Sequence, residues 1–511
     1  MPRPWFALVS LFLLPPVRAG DFVTVTVYHT NDIHGWIMPH PAYQIQDMRR
    51  GRRGYGTGGD IGGMAAFAAL VRADPGPKLV LDAGDWFQGT PEGRLTKGEA
   101  VADCFNAIPY DAVEVGNHDF DLGPDVLRRL VSRMKMPVLG ANVRDARTGN
   151  RVPYLTPYVL KRVGGVQFGI FGLLTSRMRD LSTPKDIEGL VFDREVDEAR
   201  RMVGELKARG ATVIIAVTHM GYEAPSKKSF EGDRFLASSV PGIDLIVGGH
   251  THTVLKRPVR DPRNGTLIVQ AGSQLRYAGR ATLFIDKATG RVKRSDDVLI
   301  GLYPGVTGTD PELDGVVKKY QASVGRDLDA PIASAARTLR RAGAAESSLG
   351  DWAADCLKDW AGAEISFYNS SGLRADIPAG PVTQRELFEV FPFDDRAVVL
   401  NLTGRQVRAV LERSLENGVG AQVGGLQVRF DPSAAPGRRL REVRAAGAPL
   451  DDDRPYRAAT VDFMAESGGY AASVQGGPEA ASGDLIRDVA AACARRGSPI
   501  EPPGLGRIIE E

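Results

Sequence analysis

The sequence predicts a two-domain α/β protein, and three observations predict it. Short runs rich in Val, Ile and Leu alternate with helix-like segments from residue 21 to about residue 300. The alternation stops at Tyr303-Pro304-Gly305, where one mostly polar helical pattern precedes a second mixed α/β stretch. Short polar motifs carrying Asp, Asn and His come directly after the apolar runs. Strand, helix, strand in succession builds a layered α/β domain whose sites lie at the carboxyl ends of the strands. A chain of 511 residues is also too long for one compact core.

Residues 1–20 read as a secretory signal. Arg3 supplies a positive start, Trp5 to Leu14 an apolar stretch, and Val17-Arg18-Ala19 a small-x-small cleavage site. That stretch is well short of the ~20 apolar residues needed to cross a bilayer, and no later segment is apolar enough either. The expected location is a periplasm or the cell exterior.

Candidate strands are Phe22–Tyr28, Lys78–Leu81, Ala112–Val115, Pro137–Leu139, Val166–Leu173, Val213–Val217, Leu245–Val247, Thr266–Gln270 and Thr282–Asp286. They are short and apolar enough to be buried on both faces. Helical patterns cover Met64–Arg72, Pro124–Met134 and Arg194–Arg209, with Pro124 suited to a first helical turn. The Arg49-Arg50-Gly51-Arg52-Arg53 cluster and the Gly-rich run ending at Gly63 match neither G-x-G-x-x-G nor a P-loop. They read as a solvated loop, the alternative being a flap near an anionic substrate. Pro311 to Val324 reads as a single polar helix connecting two cores. The expected division is therefore 1–20, 21–305, 306–330 and 331–511.

A net charge of +2 argues against a nucleic-acid polymer as partner. Cys104, Cys356 and Cys493 are too few and too far apart for a disulfide framework or a cysteine metal site. One bridge is possible; buried free thiols are the expectation.

The chemistry-bearing motifs are Asn31-Asp32-Ile33-His34-Gly35, Ala83-Gly84-Asp85, Gly116-Asn117-His118-Asp119-Phe120-Asp121, Thr218-His219-Met220-Gly221 and Gly248-Gly249-His250-Thr251-His252. Five of the seven histidines fall inside them. Carboxylate, imidazole and carboxamide groups at successive strand ends suit two divalent cations of the Zn, Mn or Fe type. Two cations ~3.5–4 Å apart can hold a bridging hydroxide and clamp phosphoryl oxygens for in-line displacement. Asp85 has two oxygens and a full charge for bridging, and Asn117 a neutral carbonyl oxygen. An imidazole in the Gly116–Asp121 loop could donate to a developing oxyanion, with Asp121 near enough to fix its tautomer. His29 and His40 read as strand-end and loop residues without a catalytic part.

Together these motifs resemble the 5′-nucleotidase family in its bacterial periplasmic type, over nearly the whole mature chain. The resemblance implies a four-layer α/β/β/α metallophosphoesterase sandwich, a linker helix and a C-terminal substrate-binding domain. It implies that Asp32, His34, Asp85 and His252 hold one metal and that Asp85, Asn117, His219 and His250 hold the second. His118 and Asp121 match the family's catalytic dyad. In the second half Asn369 and Arg374 match its phosphate-binding element, as guanidinium geometry allows, and Phe463 one of two aromatics that sandwich a base. Ala345 stands where an arginine is expected, with Arg340 and Arg341 slightly upstream, and Gly420 where the other aromatic is expected. The implied activity is that of an exported di-metal phosphoesterase. It would hydrolyse nucleotides or related small phosphate esters by metal-activated hydroxide attack at phosphorus, between lobes that rotate. The competing expectations are a thiosulfohydrolase-like enzyme of sulfur oxidation and a non-catalytic, exported, two-lobed binding protein.

Overall fold

The computed structural model describes residues 21–41, 59–222, 232–416, 418–466 and 480–511, together with Tyr470, Ser473 and Val474. The signal-like residues 1–20 and the Arg49–Arg53 cluster lie outside the described residues.

Two six-stranded sheets form the centre of the first half. One runs in the order Val292–Gly301, Tyr277–Asp286, Phe22–Thr30, Lys78–Asp82, Ala112–Glu114, Val138–Leu139. The other runs Val259–Arg260, Leu267–Val269, Leu245–Gly248, Val213–His219, Val166–Leu174, Tyr158–Val163. Strand side chains alternate between faces, so successive residues enter different layers. Val25, Val27, Leu79, Leu81, Val213, Ile215 and Val217 meet in one core between the sheets. Tyr28 and Val80 face the other way, onto Phe67 and Phe105 of the helices Met64–Ala73 and Glu99–Ala107. Ile214 and Ala216 face Val196, Met202 and Leu206 of the helix Glu195–Ala208. Helix, sheet, sheet, helix are the four layers, as the resemblance implied.

All nine candidate strands are present. Two long ones of the first half were not foreseen: Tyr158–Val163 at a sheet edge and Val292–Gly301, whose first six residues are mostly polar. The helix Pro311–Val324 is capped by Asp310, whose side chain accepts from the Leu313 N–H. Its Leu313, Val317 and Tyr320 are buried in the outer core of the first half, so it docks there rather than standing free.

The second half carries a five-stranded sheet, Ala421–Gly424, Ile365–Asn369, Pro455–Val461, Arg396–Thr403, Ala480–Leu485, and a four-stranded one that includes Leu426–Phe430 and Ile508–Glu510. The helices Ser348–Ala361 and Ile486–Arg496 pack over it. A Cys356–Cys493 disulfide joins those two helices. The expectation of free thiols is corrected there: the helices bring the two Cα atoms to 5.7 Å, inside bridging range. Cys104 alone is free and buried. His40 is corrected as well, since it sits buried in a short strand, Pro39–Pro41, rather than a loop. Among the described residues no helix is long and apolar enough to cross a membrane.

Candidate active site

The five motifs meet where the two sheets present their strand ends. Asp32, His34, Asp85, His250 and His252 all adopt positive φ, from 52° to 74°. Non-glycine residues rarely do so, and such strain gathers at functional sites. The Asp119 carboxylate holds the loops in place, accepting from the N–H groups of Asp85 (3.0 Å), Trp86 (2.8 Å) and Gly116 (2.7 Å). The loops then lie so close that a Cβ on Gly116 would come within 2.1 Å of Asp85 Oδ1.

Two ligand clusters share this centre. In the first, Asp32, His34 and His252 converge. His34 Nε2 lies 2.9 Å from His252 Nε2 and 3.7 Å from Asp85 Oδ2, and His252 Nε2 lies 3.3 Å from Asp32 Oδ1. In the second, Asp32, Asp85 and His219 converge. His219 Nε2 is 3.2 Å from both Asp85 Oδ2 and Asn117 Oδ1, and His250 Nδ1 is 2.8 Å from the same Asn117 oxygen.

The chemistry of these donors fits divalent cations. His34 Nδ1 stands 2.8 Å from the Gln88 carbonyl and His219 Nδ1 2.6 Å from the Ala83 carbonyl. Those N–H donations fix the tautomers and turn each Nε2 lone pair inward. The His219 lone pair then faces two acceptor oxygens, which only a proton or a metal cation reconciles. Burial alone would lower the His219 pKa, but Asp85 and Asp32 outweigh it and push the imidazole up to about 10. Desolvation, with the His219 charge beside it, pushes half-buried His250 down to about 3.

His118 is not part of either cluster. Its backbone N–H donates to Asp85 Oδ1 at 2.8 Å, and its Nδ1 stands 2.9 Å from Asp121 Oδ2. Burial works against the charged ring, yet Asp121 and Asp85 raise its pKa above the usual histidine value.

The second half closes the site. A cavity of about 340 Å³ is bounded by Asp85, Asn117, His118, His250 and His252 on one side and by Asn369, Arg374, Phe393 and Phe463 on the other. Arg374 Nη2 reaches within 2.9 Å of His34 Nε2. Across the interface Gln88 Nε2 donates to the Pro392 carbonyl at 3.1 Å, and Arg94 Nε donates to Asp394 at 3.0 Å.

Comparison with known proteins decides the family. Residues 25–254 match the model for the calcineurin-like phosphoesterases, and residues 324–475 that for the 5′-nucleotidase C-terminal domain. Together these matches cover more than half of the chain. The chain belongs to the 5′-nucleotidase family. The solved 5′-nucleotidase precursor of Thermus thermophilus is 29% identical, with a TM-score of 0.87 over 96% of this chain and 99% of that one. The snake venom 5′-nucleotidase of Gloydius brevicauda is 28% identical over 548 residues, 96% of this chain and 90% of its own. Sulfate thiohydrolase SoxB of Thermus thermophilus, 24% identical with a TM-score of 0.81 over 97% of each chain, shares the fold. This member of the 5′-nucleotidase family is thus a metal-dependent phosphoric ester hydrolase.

In the second half, Ala345 and Gly420 stand where the resemblance would have an arginine and an aromatic, and other side chains lie near by. Gly420 leaves no aromatic at that position, but Phe393 lines the cavity with Phe463 and packs 5.1 Å from the His118 ring. Gly420 thus leaves that position without an aromatic, as expected, while the Phe391-Pro392-Phe393 turn brings a different aromatic into the same cavity. Arg341, not Ala345, brings a second guanidinium near Arg374. It donates to the Leu373 carbonyl at 3.2 Å, and burial and the Arg374 charge lower its pKa. Sequence reasoning also missed Gln88, Arg94 and Asp119. Asp119 sits inside a motif already singled out, so its position was the available signal; the other two carry none.

Proposed function

We propose that this 5′-nucleotidase family member hydrolyses nucleotides or related small phosphate esters, and that the residues gathered above carry the reaction. The observation that supports it most is the placing of Asp85. Its Oδ2 lies between His34 Nε2 (3.7 Å) and His219 Nε2 (3.2 Å), one from each cluster, while its Oδ1 takes the His118 N–H. That is the position of a carboxylate shared by two cations. Asp32, His34, Asp85 and His252 would hold one, and Asp85, Asn117, His219 and His250 the other. Bound there, the pair would supply Lewis acidity toward the phosphoryl oxygens and a lowered pKa for a nucleophilic water.

The protein's own groups do the rest. Arg374, with Asn369, binds phosphoryl oxygens from the far side of the cavity. His118 presents a ring proton to charge developing on the phosphoryl group, and Asp121 holds its Nδ1–H. Phe393 and Phe463 offer flat apolar faces to the leaving group. Residues 21–305 act as the metal-binding unit, 306–330 as the connector and 331–511 as the substrate-closing unit, whose movement would admit substrate. The Cys356–Cys493 bridge supports export, since disulfides persist in oxidising compartments. The Gly116–Asp121 loop favours this reading over the thiosulfohydrolase alternative.

Phosphate release from nucleoside monophosphates and from a chromogenic phosphate ester, with Mn or Zn added and a His118→Ala control, tests the reading. Absence of metal-dependent turnover on every such ester would reject it.

A further inference from the structure

One guanidinium touches both halves of the chain and the His118–Asp121 pair at once. Arg94 sits on the short helix Pro91–Leu95 and is only 8% exposed. That helix is pinned to the loop carrying His34. Its cap residue Thr90 donates through Oγ1 to the Gly35 carbonyl at 2.7 Å, and a Cβ on Gly93 would come within 1.8 Å of the Phe87 carbonyl oxygen. From this fixed base Arg94 Nη1 donates to the Asp121 carbonyl at 3.3 Å and to Gln88 Oε1 at 3.4 Å. The other edge of the same guanidinium faces the second half, where Nε donates to Asp394 Oδ2 at 3.0 Å and Nη2 reaches the same oxygen. Asp394 is held from behind by Arg487, whose Nη2 donates to Oδ1 at 2.6 Å and whose Nη1 donates to the Phe393 carbonyl at 3.3 Å. Burial works against the Asp394 charge, yet Arg94 and Arg487 outweigh it and hold the carboxyl below its ordinary value, so the link is a charged one.

We infer that Arg94 is a positioning residue for the His118–Asp121 pair, one that ties the placing of that pair to the seating of the Phe391-Pro392-Phe393-Asp394 turn. This rests on the phosphoesterase reading above and assigns a part in it to a residue outside the ligand clusters and the pair. Asp121 follows a single 3₁₀ turn, Asn117–Phe120, and its own N–H makes only a 3.3 Å bond, to the His118 carbonyl. Its carboxylate must nonetheless hold His118 Nδ1 at 2.9 Å. The Arg94 bond to the Asp121 carbonyl steadies that peptide. Because a guanidinium is one rigid plane, displacing Asp394 from one edge turns the edge that holds Asp121. Misplacing a reacting group by about 1 Å costs on the order of 10²-fold in rate. Lysine offers a single nitrogen and cannot present two edges.

The test measures kcat and KM of the full chain on a chromogenic aryl phosphate with Mn added. Arg94→Ala is expected to lower kcat at least tenfold, and guanidinium ion in the assay to recover several-fold of that loss where methylammonium recovers none. Arg94→Lys is expected to keep KM within threefold of the unsubstituted protein while kcat stays at least tenfold down. Asp394→Asn is expected to lower kcat several-fold, and the double variant with Arg94→Ala to do no worse than Arg94→Ala alone, because both changes break one link. Arg405→Ala, remote and exposed beside Asp453, is expected to change nothing, and a metal-induced rise in Tm retained in every variant shows that each folds. Full kcat in Arg94→Lys, losses confined to KM, or additive losses in the double variant overturn the inference alone. Full kcat in His118→Ala overturns the reading of the pair as well. If Arg94→Ala does not fold, Arg94→Lys and Asp394→Asn decide by the same criteria. If no ester is turned over, nuclear magnetic resonance of ¹⁵N-histidine-labelled protein decides. The Nδ1–H signal that His118→Ala removes is expected to broaden in Arg94→Lys, and an unchanged signal overturns the inference.

Discussion

His34 Nε2 and His252 Nε2 face each other at 2.9 Å, although 218 positions separate them in the chain. Burial and the nearby Arg374 charge hold both imidazoles well below their usual pKa, which favours the neutral form that a metal ligand needs. Two neutral nitrogens beside Asp32 and Asp85 leave a site that a divalent cation completes, and binding of a cation to the folded chain raises stability. At a concentration a hundred times Kd the gain is about 2.7 kcal/mol. Adding Mn or Zn to chelator-treated protein is expected to raise Tm by several degrees, as read by calorimetry. His34→Ala is expected to lose most of that increment. A Tm that ignores metal in the unsubstituted chain would contradict the ligand assignment.

The His118–Asp121 pair predicts a pH dependence. Asp121 and Asp85 raise the His118 pKa above its ordinary value, so the imidazolium persists to higher pH than usual. If that proton serves the reaction, the alkaline limb of kcat/KM lies above ~6.5, the unperturbed value. Asp121→Asn removes the first of the raising charges and moves the limb to lower pH. Because the folded-state pKa is raised, the stabilisation from this pair is fully present below ~6.5 and is lost as pH rises through the raised value. The Tm difference between unsubstituted and Asp121→Asn protein, both metal-free, is therefore expected to fade with rising pH. His118→Ala is expected to lower kcat about 10²- to 10⁴-fold, with metal-dependent Tm retained.

The site was largely legible in the sequence because its chemistry is local. Each residue of the two candidate ligand clusters sits within a few positions of an apolar strand, so the strand pattern and the polar motif point to the same place. Asp32, Asp85 and His250 are examples. What escaped lacks such a signature. Phe393 lies in a turn with no periodicity, and only the meeting of the two halves of the chain turns it toward His118. The strand Val292–Gly301 escapes because Lys293-Arg294-Ser295-Asp296-Asp297 fill its first half, and even its buried positions there, Ser295 and Asp297, are polar. Cys356 and Cys493 could not be paired from spacing, since their proximity is set by the packing of two helices over a sheet.

That pairing carries its own prediction. The bridge closes a loop spanning 137 positions, and constraining so long a loop in the unfolded chain is worth ~2–5 kcal/mol. Replacing both cysteines by serine is expected to lower the unfolding midpoint of the second half by several degrees, whereas the metal-induced rise in Tm, which depends on the first half, persists. Equal loss in both would show that the two halves unfold as one unit.

Gly116 separates the geometry of the metal site from the stability of the fold. Its φ of −102° is open to any residue, so alanine there meets no backbone strain. Its Cβ would nonetheless stand 2.1 Å from Asp85 Oδ1 and 2.3 Å from Asp85 N, and the carboxylate must move. Overpacking of this kind costs about 1–3 kcal/mol, but Asp85 is the group common to both clusters, so the larger effect falls on the cations. Gly116→Ala is expected to weaken metal binding at least tenfold by titration calorimetry and to lower kcat with it. Gly123 offers the contrast: a Cβ there meets nothing within 4 Å, but φ is +80°. Gly123→Ala is expected to cost stability, about 1 kcal/mol, with metal affinity unchanged. If the two variants lose metal equally, crowding at Asp85 is not what governs the site.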